Sequence, residues 1–228
     1  MAMASPEQSR RPLRRDAQRN RQRVINAARE LFAVRGLEAT LNDVAHYARL
    51  GVGTVYRRFA TKEDLLEAIF EDAMNQLADL AETALRNPDS WEGFVWFIQR
   101  MCEISATDRG LREVAFSKAY RGGRVEAARV RLAPTLAELV SRAQADGYLR
   151  TELSPTDVPV IGLLAGTVSE YADSINIDLW RRYVALLVDG MRVRPDQTQL
   201  PVDALEEEQL DVAMLASNRP AQGDTSEL

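Results

Sequence analysis

The chain has 228 residues, 46% hydrophobic and 28% charged, the proportions of a globular protein with one sizeable core or two small ones. A single cysteine, Cys102, and a single histidine, His46, exclude an internal disulfide framework and leave a zinc site without a ligand set. The formal net charge of −5 hides an asymmetry: residues 1–62 carry 13 Lys/Arg against 5 Asp/Glu, and residues 63–228 carry 16 against 29. Such a division points to a polyanion-binding module on an acidic body, the bland alternative being a solvated basic arm.

Residues 1–15 are aperiodic and rich in Pro, Ser and Arg, and read as a flexible basic arm. Seven arginines without an apolar run in the first 23 residues do not form a secretory signal. From Asp16 onward Val24, Ile25, Ala28, Leu31 and Phe32 recur on one helical face, which Gly36 stops. Thr40, with Asp43 three residues on, caps a short helix to about Ala48. A turn at Leu50–Gly53 leads into a third short helix through Phe59. Thr61 and Asp64 repeat the cap and open a long helix, ended by Asn87-Pro88.

Further helices are predicted at roughly 90–106, 109–120, 124–146, 155–172 and 177–193, with Pro134 expected to kink or split the third. Sustained strand-type alternation is missing, so the fold class is all-α. No 18-residue apolar run suggests a membrane span, and a reducing, cytoplasmic location is expected. Residues 196–228 include Glu206, Glu207 and Glu208 and read as an acidic, largely disordered tail. At most one weak helix is expected near 203–216, with too little apolar surface to dock firmly.

The two short helices have the dimensions of a helix-turn-helix, whose second helix enters the major groove and offers its N-terminal residues to base edges. Gly51 and Gly53 would let backbone come close to DNA there. Thr54 and Tyr56 offer hydroxyls to phosphate oxygens, and Arg57 and Arg58 add charge. Val55 and Phe59 point back to the core. Lys62, in the first turn of the long helix, is misplaced against the helix dipole unless an anion sits beside it, and a phosphate would supply one.

The segment "LNDVAHYARLGVGTVYRRFATKEDLLEAIF", preceded by "VINAARELFAVRGLEAT", resembles the DNA-binding domain of TetR-family transcriptional regulators over about residues 20–70. The resemblance implies a homodimer whose first three helices bind double-stranded DNA. It also implies a larger helical domain that binds a small molecule and dimerises through its last two helices. By position it places Thr40 and Asn42 at the DNA-facing start of the second helix. It sets Gly51, Val52 and Gly53 against bases, and Thr54, Tyr56, Arg58 and Lys62 near phosphates. Two residues depart from the family pattern: Arg49 stands where Gly is usual in the turn, and Ala60 where Pro is usual after the Phe. The stretch "DLWRRYVALLVDGMR" resembles the closing helix of one TetR subgroup.

In the body, Trp96, Phe97, Met101, Phe116, Tyr120 and Leu164 are candidates for an apolar ligand cavity, although core packing is the reading that accounts for most of the aromatic residues there. The last two helices each carry apolar residues on two sides. One side would meet the chain's own core. The other, taken as Val158, Ile161, Ala165 and Val168 with Trp180, Val184, Leu187 and Met191, would meet a second copy.

The expected organisation is a basic arm (1–15), a helix-turn-helix domain (16–61), a helical effector-binding and dimerisation domain (62–195) and an acidic tail (196–228). The expected function is a homodimeric regulator, a repressor released from a palindromic operator by a small molecule. A DNA-binding module with a pocketless body would keep the same N-terminus. No catalytic signature occurs, so an enzyme is not expected, and neither a metal nor a cofactor is.

Overall fold

Val24, Ile25, Ala28, Leu31 and Phe32 are all buried, and the helix carrying them, α1 (Pro6–Arg35), packs that stripe on two short helices and the start of a long one. The protein is described by a computed structural model covering residues 6–111 and 123–216, with side chains placed for 18–111 and 127–214. After a 3-10 turn at Gly36–Glu38 come α2 (Leu41–Tyr47), α3 (Val52–Tyr56) and α4 (Lys62–Leu85). The body adds α5 (Ser90–Thr107), α6 (Gly123–Ala145), α7 (Asp157–Tyr171) and α8 (Leu179–Met191). A last helix, α9 (Glu207–Ala216), follows. Among the described residues the chain is helical, with one isolated antiparallel bridge between Leu149 and Arg192. The predicted helix at 109–120 lies mostly outside the described residues.

Two cores form, and α4 belongs to both. Leu65 to Ala73 join the core of α1–α3, whereas Ala81 and Ala84 join that of α5–α8. Leu111, from the segment after α5, is buried in the first core. A Cβ on Gly110 would collide with the Arg29 carbonyl oxygen, so only glycine lets this segment lie against α1. Arg29 adds an ion pair to Asp108 beside it, and a longer one of 3.6 Å to Asp72 on α4.

Of the kink or split expected at Pro134, the split does not occur: α6 is continuous from Gly123 to Ala145. The carbonyl that loses its donor belongs to Val130, which is 65% exposed, so water can take the missing bond. The tail also has docking contacts. The Arg150 guanidinium donates to the Thr198 carbonyl at 2.8 Å, Asp211 pairs with Arg129 at 2.9 Å, and Met214 packs against the first core. A few contacts hold it where no continuous apolar stripe could be read; residues 217–228 lie outside the described residues.

Candidate nucleic-acid interface

The start of α2 is fixed by a reciprocal cap. Asp43 N–H donates to Thr40 Oγ1 at 3.2 Å, and Thr40 N–H donates to Asp43 Oδ2 at 2.8 Å. The Thr40 hydroxyl, then its backbone N–H, holds the Asp43 carboxyl below the usual carboxylate range. Leu41, Val44 and Ala45 are buried, leaving Asn42, His46 and Tyr47 exposed.

α2 ends in a Schellman turn: Leu50 N–H reaches Ala45 O at 2.9 Å and Arg49 N–H reaches His46 O at 3.1 Å. Arg49 has φ of 54°, the sole positive value at a non-glycine among the described residues. The turn thus keeps the left-handed geometry that glycine usually supplies, at a cost on the order of 1 kcal/mol for a side chain. The Arg49 side chain is exposed and has no acidic partner among the described residues. Arg23, to which no sequence signal pointed, braces the same turn by donating to the Ala48 carbonyl at 3.1 Å. Arg49→Gly should therefore raise Tm by about 2–4 °C. A salt dependence of DNA binding flatter by about 1 would assign the guanidinium a phosphate, and an unchanged one a solvated role.

α3 is short because it has one face to bury. Val55 and, just beyond it, Phe59 are in the core, while Gly51, Val52, Gly53, Tyr56, Arg57 and Arg58 are exposed and Thr54 is half-buried. A Cβ on Gly53 would meet nothing within 4 Å, and one on Gly51 only Thr54 Oγ1 at 3.7 Å. Neither glycine has a positive φ. The protein's own structure therefore does not require them, and a glycine inside a helix costs roughly 0.5–1 kcal/mol relative to alanine. The room they leave faces outward.

Lys62 departs from its expected role. Its ammonium donates to the Leu37 carbonyl and lies 5.9 Å from the centre of the Phe32 ring. The Leu37 carbonyl, in the 3-10 turn that follows α1, supplies the negative charge that a first-turn lysine needs. Lys62 thereby braces α4 against α1.

In the body, Phe97 and Met101 are buried with Cys102 in the second core and Trp96 packs against it. Burial pushes the Cys102 thiol up to about 12. Phe116 and Tyr120 lie outside the described residues. Leu164, expected in a cavity, is 46% exposed on the outer side of α7.

The interface stripe is corrected similarly. Val158, Ile161, Ala165, Trp180, Val184 and Met191 are buried in the chain's own core, and Val168 and Leu187 pack against it. The outward stripe is the other one: Leu164, Tyr171, Tyr183 and Leu186. The inner face of α7 is chosen by small residues, Gly162, Ala165, Gly166 and Ser169, which are all buried. A Cβ on Gly162 would stand 3.1 Å from Ser105 Oγ of α5. That spacing was the available signal for which side faces inward.

Two short helices across a left-handed turn, the second bare at its leading end, define a helix-turn-helix regulator. The model of "Bacterial regulatory proteins, tetR family" matches residues 24–69. That of "Transcriptional regulator SbtR-like, C-terminal domain" matches residues 89–193. The HTH-type transcriptional regulator UidR of Escherichia coli is 29% identical over 148 residues, 61% of this chain and 72% of that protein. A TetR transcription regulatory protein from Mycobacterium vanbaalenii is 34% identical, with 80% of this chain and all of that one covered at a TM-score of 0.58. The TetR regulator SCO0520 of Streptomyces coelicolor is 26% identical, covering 75% and 98% of the two chains at 0.56. The chain belongs to the TetR family of DNA-binding transcriptional regulators.

Proposed function

We propose that the protein is a homodimeric repressor that leaves a palindromic operator when a small molecule binds its helical body. The observation that carries the dimer is the exposed apolar stripe on the last two body helices. Leu164, Tyr171, Tyr183 and Leu186 lie on the outer side of α7 and α8, and Ile175 and Ile177 in the link between them are also exposed. An exposed apolar stripe on each of two packed helices suits the same stripes of a second copy, closing a four-helix bundle about a two-fold axis.

Such a dimer presents two α3 helices, and they fit half-sites about 34–36 Å apart. In this reading Gly51, Val52 and Gly53 meet base edges. Thr40, Asn42, Thr54, Tyr56, Arg57 and Arg58 hold the domain on phosphates. An effector that binds better to a body with wider-spaced domains would lower operator affinity by population shift. Arg29, tied to Asp108 of the body and Asp72 of α4, makes the N-terminal domain follow the body. In this reading the protein acts on DNA in the cytoplasm. Among the described residues no helix is long and apolar enough to cross a membrane.

Selecting bound sequences from random duplex DNA, then screening metabolites for release, tests the proposal. Enrichment of a two-fold symmetric site and a releasing compound are expected; recovery of asymmetric sites only would overturn the dimeric reading. Tyr56, 45% exposed, supplies a finer check. Tyr56→Phe should weaken binding to all sequences by about 1 kcal/mol, the net worth of one hydrogen bond, and leave the preferred site unchanged. A changed preference in the same selection would make Tyr56 a reader of bases.

A further inference from the structure

Past α8 the chain follows a path fixed by hydrogen bonds. Val193 N–H donates to the Tyr148 carbonyl at 2.9 Å, and the Gln197 amide donates to the carbonyls of Gly190 and Arg192, each at 3.0 Å. The buried Arg150 guanidinium donates to the Thr198 carbonyl at 2.8 Å. Gln144, in the last turn of α6, donates to the carbonyls of Arg150 and Leu153 at 3.0 and 2.9 Å. Thr198 is thus held beside the C-terminal end of α6.

α9 is held near the other end of the same helix. Asp211 pairs with Arg129 at 2.9 Å, and Arg129 stands about 22 Å from Gln144 along α6, at 1.5 Å per residue. The two cores meet at this level. Arg131, beside it in sequence, pairs with Asp79 and Glu82 of α4 and reaches Asn75. There α4 changes cores, Met74 packing against the first and Leu77 against the second. On α9 itself, Met214 packs against the first core. Residues 197–214 therefore start on the body, span most of the length of α6 and end on the core of the N-terminal domain. This bridge is separate from the pairing of Arg29 with Asp108, and residues 194–214 lie beyond the stretches that the family models match.

A bridge between the two units bears on DNA recognition through spacing. One base pair inserted between half-sites moves them apart by about 3.4 Å and turns one against the other by about 35°, since a turn of about 10–10.5 pairs spans about 34–36 Å. Domains free to swing on the body can follow that displacement in part. Domains held at a further point follow it less, and the displaced half-site is then lost to the second domain.

We infer that residues 197–214 form a strap that fixes the N-terminal domain on the body, with Asp211 and Met214 as positioning residues, and so sets the half-site spacing that the dimer accepts. The inference rests on the dimeric DNA-binding reading above.

Two variants are compared with the unaltered chain. D211K/M214Q sets a like charge against Arg129 and a polar group against the first core. A chain ended after Pro201 keeps the contacts of Gln197 and Thr198 and lacks α9. Each is titrated with the selected operator and with the same operator carrying one extra base pair between its half-sites. The unaltered chain is expected to prefer the selected spacing. In both variants that preference should fall by at least about fivefold, the low end of a coupling between sites, while the bases selected within each half-site stay the same. D211E/M214L, which keeps the charge and the apolar volume, should retain the preference. Amide hydrogen exchange on the free protein reads docking without DNA: amides of α9, and of α6 around Arg129, should exchange faster in D211K/M214Q.

An unchanged spacing preference in both variants, even with a lower Tm or weaker binding to both duplexes, would overturn the inference and make α9 a stabilising contact alone. Unchanged exchange in D211K/M214Q would also overturn it, by showing that these two residues do not hold α9. Loss of the dimer in either variant by light scattering would overturn it by placing α9 at the contact between copies. An unaltered chain that binds duplex DNA with no preference between the two spacings would overturn the dimeric reading, and the inference with it.

Discussion

Gly53→Leu is expected to leave the protein folded and to weaken specific operator binding by about 100-fold or more. A Cβ at Gly53 would meet nothing within 4 Å outside the helix's own backbone, and the residue is exposed inside α3 without a positive φ, so a side chain there can extend toward solvent. It also removes the entropic cost of a helical glycine, roughly 0.5–1 kcal/mol, so Tm should rise by a few degrees. In the proposed complex the same side chain would occupy the space through which backbone approaches base edges. A separation forced by a side chain of that size removes several interactions together, and a loss of about 100-fold, near 2.7 kcal/mol, is a conservative expectation. Gly53→Ala should share the gain in Tm with a smaller loss of affinity. Thermal unfolding and titration of the selected duplex measure both. Undiminished affinity in Gly53→Leu would show that α3 does not approach DNA by its backbone, and a lower Tm would give the glycine an internal role.

The domain containing α3 was legible because its signals are local. The two Thr/Asp caps fix helix starts by contacts three residues apart. The stripe from Val24 to Phe32 repeats at helical spacing; the left-handed backbone at Arg49 was not legible in this way, since an arginine in place of the usual glycine is equally compatible with a reshaped turn. Lys62 was not legible, because its partner, the Leu37 carbonyl, lies 25 residues away and is a backbone atom that no residue type advertises. Docking of α9 was missed for a similar reason, resting on one ion pair and one methionine rather than a periodic face.

The last two body helices show a different limit. Each carries two apolar stripes, and hydrophobicity ranks them equally. Size separates them: Gly162, Ala165, Gly166 and Ser169 let α7 close on α5, so the bulky residues Leu164 and Tyr171 must point away. Close helix packing needs small residues at the contact, and the contact then decides which stripe remains outside.

That outward stripe leads to the second large effect. Leu186→Asp is expected to convert a dimer to monomers and to lower operator affinity by about 1,000-fold or more, since each monomer holds a single half-site and the linkage of the two binding events disappears. Leu186 is 58% exposed, so an aspartate there is solvated in the free monomer and the fold should persist. In a two-fold interface each substitution occurs twice, placing two carboxylates in an apolar contact without partners, and burying an unpaired charge is far costlier than the contact it replaces. Val184, two residues away and 3% exposed, provides the contrast: Val184→Asp puts the charge in the core and should unfold the body. Light scattering across a concentration series, with circular dichroism as the check on folding, distinguishes the two. A Leu186→Asp protein that remains dimeric would show that copies of the chain meet elsewhere than on the outer side of α7 and α8. A folded Val184→Asp monomer would return the interface to the inner stripe that the sequence pattern suggested.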